Sequence, residues 1–273
     1  EQPRLAADAY ASFLEVMPSP LDSEILTLRA DALMDAGDPV QAISVYETAL
    51  QTASAAASEQ VRLKLAQAYS SSGDSSTAVN LYLSVYETSQ NNYVRAQANL
   101  LLGQIYLSLG QPEQAYARFN DSVENFPETY DAYSGLVALV EAGQPVNQRN
   151  RGIIDYNVGQ FSVAIQALDQ YLLENPDSHD GSAHYYRALS LYELGVYDEE
   201  VAEWDTLIRD HDNDEFYYPK AVIEKATTQW AQLQQFQEAA ETCLTYVAKI
   251  PTSPQAAFFL DKAADIYEIG GYL

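Results

Sequence analysis

Few side chains in this chain are suited to hold a metal ion or move a proton near neutral pH: His179, His184, His211 and the single Cys243. They form no HExxH pair, and no nucleophile elbow or glycine-rich phosphate loop accompanies them. His179 and His184 read as residues of a loop and a helix start, without partners of ligand type. The stretch DHDNDEF, residues 210–216, sets Asp210, Asp212 and Asp214 at alternate positions, as an EF-hand loop begins. Glu215 stands where that loop needs its sharp-turn glycine, and Ala221 where it needs a bidentate glutamate. The expectation is an exposed interhelix loop, with no metal site and no cofactor. One cysteine excludes an internal disulfide and leaves the compartment open.

Acidic pairs are plentiful, with 39 Asp and Glu against 14 Lys and Arg and a net charge of −25. In a chain so charged they read as solvated faces, and a glycosidase-like pair requires a cleft that spacing alone does not define. The charge opposes nucleic acid, whose phosphates need clustered Lys and Arg, and it opposes an anionic membrane surface. No apolar run approaches the roughly 20 residues of a membrane helix. The start at Glu1-Gln2-Pro3 reads as a trimmed or mature end without a leader pattern. With 47% hydrophobic residues the chain can bury a core. Two of its nine arginines, Arg149 and Arg151, fall together in VNQRNRGIIDYNVGQF, residues 146–161. There are 21 tyrosines against 8 phenylalanines and 2 tryptophans. A tyrosine offers an apolar face and a hydroxyl, which suits a peptide or a sugar in a groove.

The elements that must position these residues repeat. A glycine follows a helical apolar pattern at Gly37, Gly73, Gly110, Gly159 and Gly195, with spacings of 36, 37, 49 and 36 residues. Gln234 takes the glycine's place once, and the pattern restarts at Gly270. Apolar or small residues recur at three and four on both sides of each glycine, the pattern of a helix–turn–helix hairpin. Ala66, Gly103, Gly152, Ala188 and Ala263 are small enough to let paired helices approach closely. Pro127, Pro176 and Pro251 stop second helices. The 49-residue interval divides at Gly143 into 33 and 16, too short for a full hairpin, so the helix expected after Gly143 is mostly missing.

The succession Leu102-Gly103, Tyr106, Gly110, Ala115, Phe119 and Pro127 resembles the tetratricopeptide repeat, over nearly the whole chain and in about seven registers. The resemblance implies an all-α fold, a right-handed α-solenoid of helix hairpins each contacting mainly its neighbours. The slip divides it into an array over 1–142 and a continuous second array over 143–273. That second array stops inside a hairpin at Gly270-Gly271-Tyr272-Leu273, as an excised segment would. A narrower resemblance runs through DAYSGLVALVEAGQPVNQRNRGIIDYNVGQFSVAIQALDQYL, SAHYYRALSLYELGVYDEEVAEWDTLI and EKATTQWAQLQQFQEAAETCLTYVAKIPTSP. These are similar to the superhelical region that precedes the catalytic module of bacterial soluble lytic murein transglycosylases. The Glu-Ser pair and Gly-Leu-Met-Gln string of that module are absent. The resemblance therefore implies a non-catalytic region that positions or binds peptidoglycan, outside the cytoplasmic membrane. The alternative is a general protein–protein interaction scaffold in envelope assembly or secretion.

Tetratricopeptide modules that clamp acidic chaperone tails use Lys and Asn on successive first helices. Here those positions carry Thr27, Asp31, Leu63, Gln67, Leu100 and Gln104, and the acidic chain would repel such a tail. The expected partners are peptidoglycan or a protein or peptide, with no nucleic acid and no membrane span; the oligomeric state is not legible. Tyr69, Tyr82 and Tyr106 match core positions, whereas Tyr156, Tyr185 and Tyr192 fall on the side of the first helix that lines the concave surface in this fold. With Arg149 as a fork for a carboxylate, they form the expected ligand site. Arg151 and Arg187 occupy leucine sites of the repeat, and Asp155 and Glu200 occupy apolar or small ones. Because an unpaired buried charge is costly, each arginine is expected to pair with a carboxylate, Asp155 or Glu200.

Overall fold

The structure, a computed structural model, describes residues 2–16 and 22–272. It contains the helices α1 (Gln2–Val16), α2 (Asp22–Asp35), α3 (Pro39–Leu50), α4 (Ala55–Ser71), α5 (Ser75–Thr88), α6 (Asn92–Ser108), α7 (Pro112–Asn125) and α8 (Tyr130–Glu141). These are followed by α9 (Gln148–Asn157), α10 (Phe161–Glu174), α11 (Ser182–Glu193), α12 (Tyr197–Asp210), α13 (Tyr217–Ala231), α14 (Phe236–Lys249) and α15 (Ala256–Ile269). No strand occurs among the described residues. The chain forms two compact units, Glu1–Val146 and Asn147–Leu273, dividing a few residues after the expected 142/143.

In the first unit the hairpins α2/α3, α4/α5 and α6/α7 stack, and first helices touch first helices from α4 to α6 to α8. In the second unit α9/α10, α11/α12 and α13/α14 stack in the same way, with α9, α11 and α13 in contact in turn, and α15 packs on α14. The expected turn glycines at 37, 73, 110, 159 and 195 all have φ between 69° and 94°. There the amide of the residue after the glycine bonds back to the carbonyl five residues before it, as from Asp38 to Leu33 at 2.9 Å and from Val196 to Leu191 at 3.0 Å. Asp38 and Asp74 then cap α3 and α5 by accepting from the Gln41 and Thr77 amides.

Gly143 ends α8 in the same manner, with φ 66°. No helix follows it until α9 opens at Gln148, where the Asn147 side chain accepts from the Asn150 amide. α8 is thus a first helix without its second, the physical basis of the slipped period. At the end of the chain the left-handed residue is Gly271 (φ 77°) rather than Gly270, which stays right-handed. Leu273 lies outside the described residues.

Hairpin closure follows one rule. A small buried residue on the first helix stands seven positions before the turn glycine, and a large buried one stands sixteen positions after the small one. The pairs are Ala30 with Tyr46, Ala66 with Tyr82, Gly103 with Phe119, Gly152 with Leu168 and Ala188 with Trp204, each residue buried. A Cβ at Gly103 would lie 2.1 Å from the Phe119 ring, and one at Gly152 would lie 2.4 Å from Leu168. In the α13/α14 hairpin the closing bond runs from the Gln235 amide to Gln229, one residue wider, and the buried Ala226 and Cys243 are correspondingly seventeen apart.

Two stability predictions follow from this geometry. Gln234 is the non-glycine residue held at positive φ (57°) among those described. Gln234→Gly is expected to stabilise the chain by about 0.5–1 kcal/mol in urea unfolding, the strain relieved exceeding the added unfolded-state freedom. Gly103→Ala is expected to destabilise by roughly 1–3 kcal/mol, because the ring of Phe119 must leave its place.

Candidate functional site

The residues singled out by sequence fall in the second unit, and the structure sorts them into three groups. Arg149, in the first turn of α9, is engaged within the protein. Its Nε donates to Ser182 Oγ at 2.6 Å, one terminal nitrogen donates to Asn150 Oδ1 at 3.1 Å, and the other reaches Asp180 Oδ2 at 3.1 Å. Asp180 also accepts from the Ser182 amide and hydroxyl. Burial raises the Asp180 carboxyl, but the Ser182 hydrogen bonds and the Arg149 charge outweigh it and hold the group below its usual range. Arg149 therefore fastens α9 to the loop before α11, and a ligand carboxylate would have to displace Asp180.

The second group is the charge set inside the stack. Arg151 Nε stands 3.5 Å from Asp155 Oδ2, one helical turn away. Burial nevertheless raises the Asp155 carboxyl, with Arg151 opposing. Arg187 does not meet Glu200. It pairs with Asp169 on α10 at 2.6 Å and with Glu203 on α12 at 2.5 Å. Sequence could not choose among these acids, because Glu200 and Glu203 lie on the same helix and only its rotation decides which faces Arg187. Glu200 is 1% exposed, and its Oε1 accepts from Trp204 Nε1 at 2.7 Å and Thr228 Oγ1 at 2.8 Å. Its carboxyl is raised, chiefly by burial, with those two hydrogen bonds opposing.

The third group is aromatic. Tyr156 on α9 packs edge-on against Tyr186 on α11 at 5.4 Å, and Tyr186 meets Tyr185 at 5.4 Å. Tyr185 meets Tyr217 at 5.2 Å, and Tyr217 meets Phe216 at 4.8 Å. The strip crosses α9, α11 and α13, its tyrosines half-buried and Phe216 exposed. Lys220 sits over the Phe216 ring at 3.5 Å and the Tyr185 ring at 5.7 Å. Glu224 lies close enough to raise the Tyr185 hydroxyl, which burial first pushes up to about 12. A shallow groove of about 320 Å³, lined by Phe216, Lys220, Ile223 and Phe258, continues the strip towards α15. Tyr192 is not in the strip. It packs on Tyr197 at 5.6 Å and accepts from Gln232 at 3.2 Å. Tyr186, Tyr217 and Phe216 were not expected, since nothing in the spacing marks the contacts between helices, Tyr156 to Tyr186 and Tyr185 to Tyr217.

Two further points bear on the sequence reading. Asp210, Asp212 and Asp214 do not converge: Asp210 pairs with Arg209, Asp212 with Lys249, and Asp214 caps the Phe216 and Tyr217 amides. His179 and His184, expected to lack ligand-type partners, are a correction: they are brought together with His211, one ring nitrogen of each of the three lying within 4.8 Å of the others. His211 is the C-cap of α12, in the register that Phe126, Asn175 and Ile250 occupy in other hairpins. That repeat register was the available signal. Cys243 is buried, and burial pushes its thiol up to about 11, which leaves it unreactive at neutral pH.

Stacked helix hairpins with small-to-large closure define the class, and the sequence comparisons agree. The tetratricopeptide repeat profile matches residues 1–58, 63–128 and 149–216, so the chain belongs to the tetratricopeptide repeat family. The unmatched 129–148 contains α8 and the missing second helix. No curated protein sequence matches the chain. Among solved structures it is similar to the TPR2AB-domain:pHSP90 complex of yeast Sti1, with 19% identity, 91% of this chain and 98% of that one covered, and a TM-score of 0.38. A tetratricopeptide repeat protein from Parabacteroides merdae gives 15% identity, 94% and 91% coverage, and 0.38. YrrB, a TPR protein with an unusual peptide-binding site, gives 16%, 79% and 98%, and 0.35. No helix among the described residues is long and apolar enough to cross a membrane.

Glu200 supplies a pH prediction. Its folded carboxyl titrates above the usual 4.5. As pH rises from there towards the folded value, the unfolded chain has released a proton that the folded chain keeps, so stability falls. Glu200→Gln removes this titration and keeps an acceptor for Trp204 and Thr228. Urea unfolding of that variant should lose less stability between about pH 4.5 and 7 than the parent chain does. Glu200→Ala should cost about 1–3 kcal/mol throughout by stranding two buried donors.

Proposed function

We propose that this protein is a protein–protein interaction scaffold that takes a basic, aromatic-bearing segment of a partner protein along the first-helix face of its second unit. The observation that carries this reading is the continuous half-exposed strip Tyr156–Tyr186–Tyr185–Tyr217–Phe216. Rigid aromatic side chains give contact area at low entropy cost, which makes them frequent anchors at interfaces. The tetratricopeptide fold is typically non-catalytic, which accords with a binding role. Glu193 and Glu224 flank the strip closely enough to raise the Tyr156 hydroxyl, and the chain as a whole carries −25. A partner with Lys or Arg beside its aromatic residues would be attracted at low salt and find ring faces for its cations.

A finer reading, attachment to peptidoglycan in an extracytoplasmic compartment beside a lytic transglycosylase module, rests on sequence resemblance. The tyrosine faces suit sugar stacking, whereas Arg149 is engaged by Asp180 and Ser182. Selection of a displayed peptide library on the full chain tests the scaffold reading. Enrichment of Lys- or Arg-bearing aromatic sequences is expected, with affinity falling as salt rises and falling at least fivefold in Tyr186→Ala. Enrichment of acidic peptides, or equal binding by Tyr186→Ala, would overturn it. Saturable binding of purified muropeptides that is lost in Tyr185→Ala would support the envelope reading instead.

A further inference from the structure

Three imidazoles meet where the loop before α11, the first turn of α11 and the C-terminal end of α12 come together. The ring centroids of His179, His184 and His211 are 5.0, 5.0 and 5.6 Å apart, and one nitrogen of each lies within 4.8 Å of the others. The hydrogen bonds around the rings fix which nitrogens are free to coordinate. His184 is 8% exposed, and its Nδ1 faces Glu203 Oε1 at 2.5 Å, which leaves Nε2 as the coordinating atom. His179 Nδ1 lies 3.3 Å from the Asp180 carbonyl oxygen, which again leaves Nε2. His211 Nε2 is buried without a hydrogen-bond partner. A buried polar nitrogen with no partner is costly, and here it sits beside two other imidazoles.

The surroundings suit a cation. Glu203 holds His184 as metal-binding histidines are usually held, by a carboxylate on the far nitrogen that fixes the tautomer and raises ligand basicity. Arg187 pairs with the other oxygen of Glu203 and keeps that carboxylate in place. The Asp210 carboxylate is near enough to interact with both His184 and His211, and Asp214 with His211. The carbonyl end of α12, at which His211 is the cap, adds partial negative charge.

We propose that His179, His184 and His211 form a three-imidazole site for a divalent transition-metal ion of the zinc class, with Glu203 as the positioning residue of His184. Imidazole donors favour zinc, copper and nickel over magnesium or calcium, and three protein nitrogens leave a further coordination position for water or a group of a partner. The ion would tie the loop before α11 to the α11/α12 hairpin.

The test uses the full chain, freed of metal and titrated with Zn²⁺ against a chromophoric chelator, with Co²⁺ as a spectroscopic stand-in. One equivalent of Zn²⁺ is expected to bind and to raise the midpoint of thermal unfolding, and Co²⁺ should give visible bands of a nitrogen-ligated ion. His179→Ala, on the loop before α11, should weaken Zn²⁺ at least tenfold and bleach the Co²⁺ bands, as should His211→Gln. Glu203→Gln should weaken Zn²⁺ by about 10–100-fold while leaving the stoichiometry at one. Circular dichroism of each apo variant reports folding separately. Zn²⁺ binding by the parent chain no tighter than by folded His179→Ala, or Co²⁺ bands unchanged by that substitution, would overturn the proposal.

Discussion

Every hairpin in this protein depends on the distance of closest approach between its two helices, and a single small side chain sets that distance. Where Gly103 or Gly152 stands, there is no room for even one carbon, because Phe119 or Leu168 fills the space. Ala30, Ala66 and Ala188 play the same part against Tyr46, Tyr82 and Trp204. The sixteen-residue offset fixes the turn length, the left-handed turn residue terminates the first helix, and the two together set the register of each second helix. The α13/α14 turn shows the coupling directly, since its turn is one residue wider and its small-to-large offset grows by the same one residue.

Against that regular scaffold the second unit carries an unusual load of charge. Ala42, Ala78, Ala115, Ala164 and Ala239 share one repeat position, five residues after the turn residue, and are each fully buried, and Glu200 stands at that position in α12. Trp204 and Thr228 receive it, so the substitution is tolerated through hydrogen bonds rather than through space. Asp155 likewise stands at the site of Leu33 and Leu191 and is met by Arg151. Such networks cost stability relative to an apolar core, and they concentrate in the α9–α13 region where the aromatic strip and the histidines also lie. The same region holds Arg149, Asp180 and Ser182, which tie α9 to the loop carrying His179.

The hairpins, their turns at the marked glycines and the truncated repeat after Gly143 were legible in the sequence. Each is a local property: a 3.6-residue apolar period, a residue that tolerates positive φ, and a two-helix hairpin that cannot fit in 16 residues. The small residues at closure were legible for the same reason. The site was legible only in fragments. Tyr156 and Tyr185 were identified from their helix face, but Tyr156 meets Tyr186 of the next hairpin, Tyr185 meets Tyr217 of the hairpin after its own, and Tyr192, on the same face as Tyr185, points to different partners. The partner of Arg187 turned on the rotation of α12, which periodicity does not fix to within one turn.

Sequence by itself therefore determined the family, the hairpin count along the marked glycines and the place of the slip, because those depend on contacts within one repeat length. Tertiary structure alone decided what the polar and aromatic side chains meet. His179, His184 and His211 span 33 residues and no periodic rule links the three to one another; they converge because a loop, a helix start and a helix end from successive elements pack at one point. Arg149 looked like a free cation in an acidic chain, and the fold brings it Asp180 from 31 residues away. Contacts of that separation are set by how hairpins stack, and stacking is carried by buried surfaces rather than by the pattern along the chain.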